Sequence, residues 1–294
     1  MKAVQDRGRL LLQVLPQLAN LRNRGLAGWN VIVGAVIVTA IVLMTVLASW
    51  ISPQDPVAIN VGPILSPPSR EFPLGTNHLG QDMLSRVIAG GAMVMQVAVI
   101  SVVVCILVGV PVGLLASYAG GTSDKATSLI MDSIYAFPGL VLAIAIAAML
   151  GRGVVNMSLA IAVVYIPSYY RIVRSQVLTI KELQYVEAAR AVGAKSRGIL
   201  FRCVLPNVVP SVVSVATINF ADAILTAAGL TFVGLGLSVA VPDWGWDLTY
   251  GRRLLPAGAW WVITFPGIMI VLLALGFTLI GEGLSELWSP RLEQ

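Results

Sequence analysis

The stretch "YVEAARAVGAKSRGILFRCVLPNVVP", residues 185–210, decides how this chain is read. It sets Arg190, Lys195, Arg197 and Arg202 within thirteen positions, in a chain of 294 residues of which 11% are charged and 57% hydrophobic. The string "VGAKS" at its centre invites a phosphate-loop reading. That reading fails, because such a loop needs G-x-x-x-x-G-K-[ST] after a strand and opening a helix. Here Ala194 precedes Lys195, no glycine leads the run, and no strand comes before it. Read as helix, "IKELQYVEAARAVG" (180–193) ends at Gly193, a residue suited to a C-cap. "AKSRGILFRCVL" (194–205) then forms a second short helix running to Pro206. The small residues Ala188, Ala189 and Ala191 offer a surface on which another protein can pack closely. A solvated basic loop that only fixes topology accounts for the same residues.

The rest of the chain makes this segment an interruption between membrane spans. Mean hydropathy is +0.87, and 28 Gly and 16 Pro are scattered through apolar runs, as membrane helices tolerate. A net charge of +5 would suggest nucleic acid only if the basic residues formed a patch on a soluble domain. They sit between apolar segments instead. Cys105 and Cys203 make neither a disulfide framework nor a metal site, and Cys105 reads as a small buried hydrophobe. The run "VIVGAVIVTAIVLMTVLASWI" (31–51), flanked by Trp29 and Trp50, is too long for a signal-peptide core and reads as a retained span with interfacial anchors.

Further spans are expected at roughly 92–118, 127–150, 154–173, 208–234 and 260–280, the third broken by "FPG" at 137–139 and the fourth by Pro167. The expected fold is therefore all-α, with six transmembrane helices and both termini on one side. With the N-terminus inside, 14 of the 19 Lys and Arg are cytoplasmic and 5 are outside, the positive-inside pattern. The boundaries that follow are a cytoplasmic segment over 1–28, a first span and outer loop over 29–91, a core over 92–281 with a cytoplasmic loop at 174–206, and a cytoplasmic tail over 282–294.

Glu187-Ala188-Ala189, Gly193, Ile199 and Leu205-Pro206 resemble the EAA motif of the integral membrane subunits of bacterial ABC importers. "PLGTNHLGQDMLSRVIAGG" (73–91) is similar to the G-T-D-x-x-G-R-D-x-x-S-R segment of their C-type permeases for dipeptides, oligopeptides and nickel. "LTFVGLGLSVAVPDWGWDL" (230–248), "FPG" (265–267) and "GEGLSELWSPRL" (281–292) match three later motifs of that family. The resemblance implies a type I importer permease fold in which the 174–206 loop carries a coupling helix. Glu187, Ala188, Ala189, Gly193, Leu205 and Pro206 would then dock on a cytoplasmic ATPase, and Gly75, Thr76, Asn77, Gly80, Asp82 and Arg86 would shape the outer loop. It further implies a homologous B-type permease, two ATPase subunits that use ATP and Mg, a substrate-binding protein at the outer face, and the inner membrane as location. No cofactor belongs to this chain. Asn77 stands where the family has Asp and Gln81 where it has Arg, which argues against an ion pair in the outer loop. Ala227 replaces a common Glu, whereas Asp222 adds an acid.

Two acids fall within expected spans, where ionisable groups face protein or a water-filled path. Asp132 reads as a packing or hydrogen-bonding group with a pathway role second. Asp222, mid-span, would suit an amino terminus or a cation. His78 is the only histidine and lacks neighbours at metal-ligand spacing. The expected function is a non-catalytic permease for dipeptides or oligopeptides, or for nickel. A membrane peptidase or transferase would need a nucleophile–base pair or H-E-x-x-H, which this chain lacks.

Overall fold

A computed structural model describes residues 25–236 and 241–288. Most of the expected N-terminal segment, residues 237–240 of the outer motif and the end of the C-terminal tail lie outside the described residues. The described chain is helical nearly throughout: α1 Gly25–Val46, α2 Ala48–Ile51, α3 Met83–Ala89, α4 Gly91–Ala119, α5 Gly121–Tyr135, α6 Gly139–Leu150, α7 Val154–Ile180, α8 Gln184–Ala191, α9 Ser196–Ile199, α10 Leu205–Leu230, α11 Trp244–Leu254 and α12 Trp261–Trp288. Turns of π-helix at Leu200–Val204 and Thr231–Leu235 extend α10 at both ends.

Among the described residues, four helices are long and apolar enough to cross a membrane: Gly25–Val46, Met83–Ala119, Ser196–Leu235 and Trp261–Trp288. The pair α5 and α6 adds a fifth if it counts as one span, although its halves meet at 91°. That count falls short of the six expected, and composition supplies the reason. α6 alone has 12 residues, about 18 Å at 1.5 Å per residue, while α5 is amphipathic and begins with polar residues. In α7 the sequence Tyr165, Ser168, Tyr169, Tyr170 and Arg171 dilutes an apolar first half. Pro167 does not break α7 as expected; the helix runs through it without interruption.

Small residues set the packing. Gly34 of α1 and Gly276 of α12 meet so closely that a Cβ on Gly34 would lie 2.5 Å from the Gly276 carbonyl oxygen. Gly281 does the same for α12 against α10, where a Cβ would come 2.6 Å from Ile218. Without a hydrophobic driving force between helices in lipid, such close backbone approach supplies the packing energy. α4 and α7 lie parallel: the Ser101 hydroxyl bonds the Ser158 carbonyl at 3.1 Å, Cys105 faces Ala162, and Gly109 and Gly113 receive Tyr169 and Val173. Parallel neighbours require the intervening chain to return to its starting face, and α5 and α6 are that return.

The contacts between α5 and α7 include several polar pairs. Asp124 accepts from both Nε and an Nη of Arg174 at 2.7 Å, Tyr170 and Ser128 share a hydroxyl bond at 2.9 Å, and Arg171 reaches Asp132 at 2.7 Å. Arg171 also lies over the Tyr135 ring, 4.0 Å from its centre. Gly34→Val is expected to wedge α1 from α12 and to lower stability by about 1–3 kcal/mol. The thermal midpoint of the purified protein checks this against Val36→Ala, whose side chain is exposed and whose loss should leave the midpoint unchanged.

Candidate functional site

Three groups of residues carry the candidate chemistry: a docking segment at α8, an acid within α10, and a buried polar assembly at the outer face. In the first, α7 ends at Ile180 and α8 begins at Gln184, so the expected single helix over 180–193 divides at residues 181–183. Val186 is fully buried, and Tyr185 and Ala189 pack on the same cluster as Val177, Ile199 and Val204. Glu187, Ala188, Arg190 and Ala191 face outward, and Val192 is 85% exposed. Ala189 is half-buried, packed against that cluster. Its spacing of three from Val186 was the available signal, because positions i and i+3 share a helix face.

Gly193 has φ +84°, the left-handed region in which a non-Gly residue costs roughly 1–2 kcal/mol. A Cβ there would meet nothing within 4 Å. The turn needs glycine for its backbone angle alone. Glu187 makes no capping bond; its charge sits in the first turn, where the helix dipole favours an anion. Leu205 and Pro206 open α10, and the π turn before them widens the helix where Pro206 cannot donate a hydrogen bond.

Asp222 lies about two-thirds of the way along α10 and is half-buried. On the opposite side of the helix, Phe220 stacks on Phe277 of α12 with ring centres 4.9 Å apart. Among the described residues no hydrogen bond or ion pair is made by the Asp222 carboxylate. Tyr165 instead bonds the Thr226 hydroxyl at 2.9 Å and the Asp222 main-chain carbonyl at 3.5 Å. Asp132 differs: its bond to Arg171 is exposed on both sides.

The outer loop is not an open surface. Thr76, Asn77, Gln81, Asp82 and Arg86 are all buried. Arg86 donates Nε to Asp247 of α11 at 2.9 Å, and its Nη1 reaches Gln81 at 3.1 Å and the Pro56 carbonyl at 3.2 Å. An ion pair does hold this loop, contrary to the expectation drawn from Asn77 and Gln81. Those two residues bond each other at 2.8 Å, a neutral link beside the charged one. Asp82 caps α3 through the Ser85 amide at 2.9 Å. Gly75 and Gly80 adopt φ +76° and +65°, and the Thr76 carbonyl accepts from Trp261 Nε1 at 2.9 Å. His78 stacks on Tyr250 at 4.5 Å, and burial with the nearby Arg86 charge holds its pKa below the usual value.

Sequence reasoning passed over Asp243 and Trp244. Trp244 is fully buried and donates Nε1 to the Val87 carbonyl at 2.8 Å. It fills the space that Gly90 leaves open, since a Cβ there would lie 2.6 Å from the indole. Asp243 caps α11 through the Gly245 amide at 3.0 Å. Burial pushes its carboxyl up to about 6, and the charge of Asp247 adds to the effect against the opposing pull of the Gly245 amide, Thr231 and Arg86. No group of three or more His, Cys, Asp or Glu forms a metal cluster among the described residues.

An all-α bundle with several long apolar helices, a small exposed helix between two of them and a buried outer brace defines a multi-pass membrane transport subunit. Residues 109–294 match the family model described as "Binding-protein-dependent transport system inner membrane component", and the chain belongs to that family. It is 38% identical to the di/tripeptide transport system permease protein DppC of Pseudomonas aeruginosa over 92% of this chain and 89% of the relative. It is 37% identical to the dipeptide transport system permease protein DppC of Alkalihalophilus pseudofirmus over 89% and 86%. The glutathione transport system permease protein GsiD of Pectobacterium atrosepticum is 38% identical over 77% and 75%. The chain is thus an inner-membrane permease, a non-catalytic transport component.

Two outcomes follow for the outer brace. Arg86→Ala leaves Asp247 buried without its partner and is expected to cost about 3–5 kcal/mol, read as a drop in the thermal midpoint. For Asp243, the folded value of about 6 exceeds the ordinary 3.8. Its stabilising contribution is therefore complete below pH 3.8 and is lost as pH rises through about 6. Asp243→Asn should match wild type near pH 4 and exceed it in thermal stability above pH 6; parallel pH profiles would contradict this.

Proposed function

We propose that the chain is one of two homologous permeases in an ATP-driven importer of short peptides, and that it passes the work of ATP hydrolysis to the pathway through α8. The observation that carries this reading is α8 itself: an eight-residue helix with an exposed face of Glu187, Ala188, Ala191 and Val192, standing at the foot of the continuous helix Ser196–Leu235. Small side chains there admit a partner's backbone closely. The peptide substrate is supported by the di/tripeptide and dipeptide permeases among the relatives. A B-type permease, two cytoplasmic ATPases and a substrate-binding protein complete the assembly, with membrane lipid around it.

In this reading the chain crosses the membrane six times, with a core over 92–281, a coupling loop over 174–206 and both termini cytoplasmic. α7 counts as a crossing because it lies parallel to α4 along its length, and its 27 residues reach about 40 Å. Gly193, Leu205 and Pro206 set the angle between the docking helix and α10. Asp222 faces the pathway and meets a cationic group, such as a peptide amino terminus. Asp132 serves to hold α5 on α7. Gly75, Thr76, Asn77, Gly80, Asp82 and Arg86 form a scaffold that shapes the outer mouth.

Uptake by the reconstituted complex tests the reading. Asp222→Asn should reduce transport of peptides with a free amino terminus more than that of N-acetylated ones while leaving complex yield intact. Equal transport of both by the variant and by wild type would remove the pathway role. Gly193→Leu should leave nucleotide binding in place and abolish stimulation of ATP hydrolysis by the loaded binding protein, since it severs a coupling between sites and spares both. For orientation, a cysteine at the exposed Arg253 should react with an impermeant maleimide from outside and one at Lys195 should not.

A further inference from the structure

We infer that Tyr185 and Asn207 are positioning residues that fasten the docking helix to the pathway helix, so that displacement of α8 reaches α10 through one shared carbonyl. The inference rests on the proposed docking role of α8. Asn207 lies in the first turn of α10 and donates Nδ2 to the Cys203 carbonyl at 2.6 Å. The same Nδ2 lies 3.3 Å from the Tyr185 hydroxyl oxygen, which accepts from it. Tyr185 in turn donates its hydroxyl to the Cys203 carbonyl at 3.4 Å. Three groups from α8, the π turn and α10 therefore close a ring of hydrogen bonds around one oxygen.

The location of that ring gives it a mechanical role. Cys203 lies within the π turn Leu200–Val204, three residues before Pro206 in the first turn of α10. Two side chains, from α8 and α10, converge on its carbonyl. π turns inside helices are sites where register and direction change at small cost. The attachment of α8 is slight: Val186 is its one buried residue, with Tyr185 and Ala189 half-buried beside it. Val186 and Ala189 contribute apolar contact, which tolerates sliding. The hydroxyl of Tyr185 contributes a directional bond, which does not. A pull on α8 thus arrives at the π turn through Tyr185, and Asn207 passes it to α10, which bears Asp222 fifteen residues further on.

The test uses the full complex with its ATPase partners in nanodiscs, in a Cys105→Ala, Cys203→Ser background that leaves the carbonyl in place. Val192→Cys crosslinked to a cysteine on the ATPase reports docking. The maleimide labelling rate of Leu225→Cys, on the exposed side of α10, reports movement, with ATP and vanadate as the probe. Wild type should crosslink and change its labelling rate on vanadate trapping. Tyr185→Phe keeps the aromatic side chain and should keep the crosslink, with a thermal midpoint within about 4 °C of wild type, while its trapped-to-free labelling ratio falls about fivefold, the scale of one net hydrogen bond. Asn207→Ala and Asn207→Asp, which both lose the donor, should bring the ratio close to one. Wild-type ratios in Tyr185→Phe and Asn207→Ala, with docking intact, would overturn the inference. So would a thermal midpoint lowered by more than about 4 °C alongside any lost ratio, which marks a structural role. A missing crosslink in the wild-type background would instead overturn the docking reading, and the inference with it.

Discussion

Arg86 is a permanent positive charge with 1% of its side chain exposed, and the outer half of the molecule is arranged to make that tolerable. Asp247 neutralises it, while Gln81 and the Pro56 carbonyl take remaining donors. A buried pair of this kind adds little net stability over an apolar replacement, and its larger effect is on which arrangement is allowed. Only one docking of α11 against α3 brings the two charges together. Trp244 then slots over Gly90, Trp261 reaches the Thr76 carbonyl, and the outer ends of α4, α10 and α12 are tied to one another. The loop between α1 and α3 is long and irregular, yet its polar residues are spent inward on this assembly.

The opposite half, around α8, follows a different rule. There the apolar cluster of Val173, Val177, Ile180, Val186, Ile199 and Val204 joins α7, α8 and the π turn, and polar bonds at its edge fix direction. The two π turns that bracket α10 sit where it meets each half: Cys203 with its side-chain partners below, and Thr231 above, whose carbonyl accepts from Thr249 of α11 at 3.1 Å. α10 is therefore held at both ends by neighbours and is free of charge pairing between them, where Asp222 lies.

Much of this was legible in the sequence. Long apolar runs announced α1, α4, α10 and α12, and glycine at 193 announced the turn. The break at Phe137–Gly139 was visible, but its angle was not, because a proline marks an interruption without setting direction. α7 was read as a span broken at Pro167. Its tyrosines and Arg171 are the mark of a helix packed among α4, α5 and α10, and Pro167 is buried there in an uninterrupted helix. The Arg86–Asp247 pair joins residues 161 positions apart, and no local pattern reveals that. Neutral residues at 77 and 81 weakened the case for an ion pair here; those two residues bond each other, and the pair beside them, Arg86 with Asp247, is made by residues the pattern did not connect. Asp243 was hidden for a simpler reason: an N-cap aspartate looks the same in sequence whether its surroundings are wet or dry.

The ion pairs of α5 have a consequence that the outer pair does not share. Asp124–Arg174 is partly open to solvent and Asp132–Arg171 largely so, and of the α5 side chains only Asp124 and Met131 are buried. Exposed pairs are screened over a Debye length of about 8 Å at physiological ionic strength, whereas enclosed ones are screened far less. The two faces of the permease thus differ in their response to the medium. The outer brace keeps its geometry across a wide range of salt, as suits a surface that meets a changing environment. The elbow at α5 is held by exposed pairs and loosens as ionic strength rises.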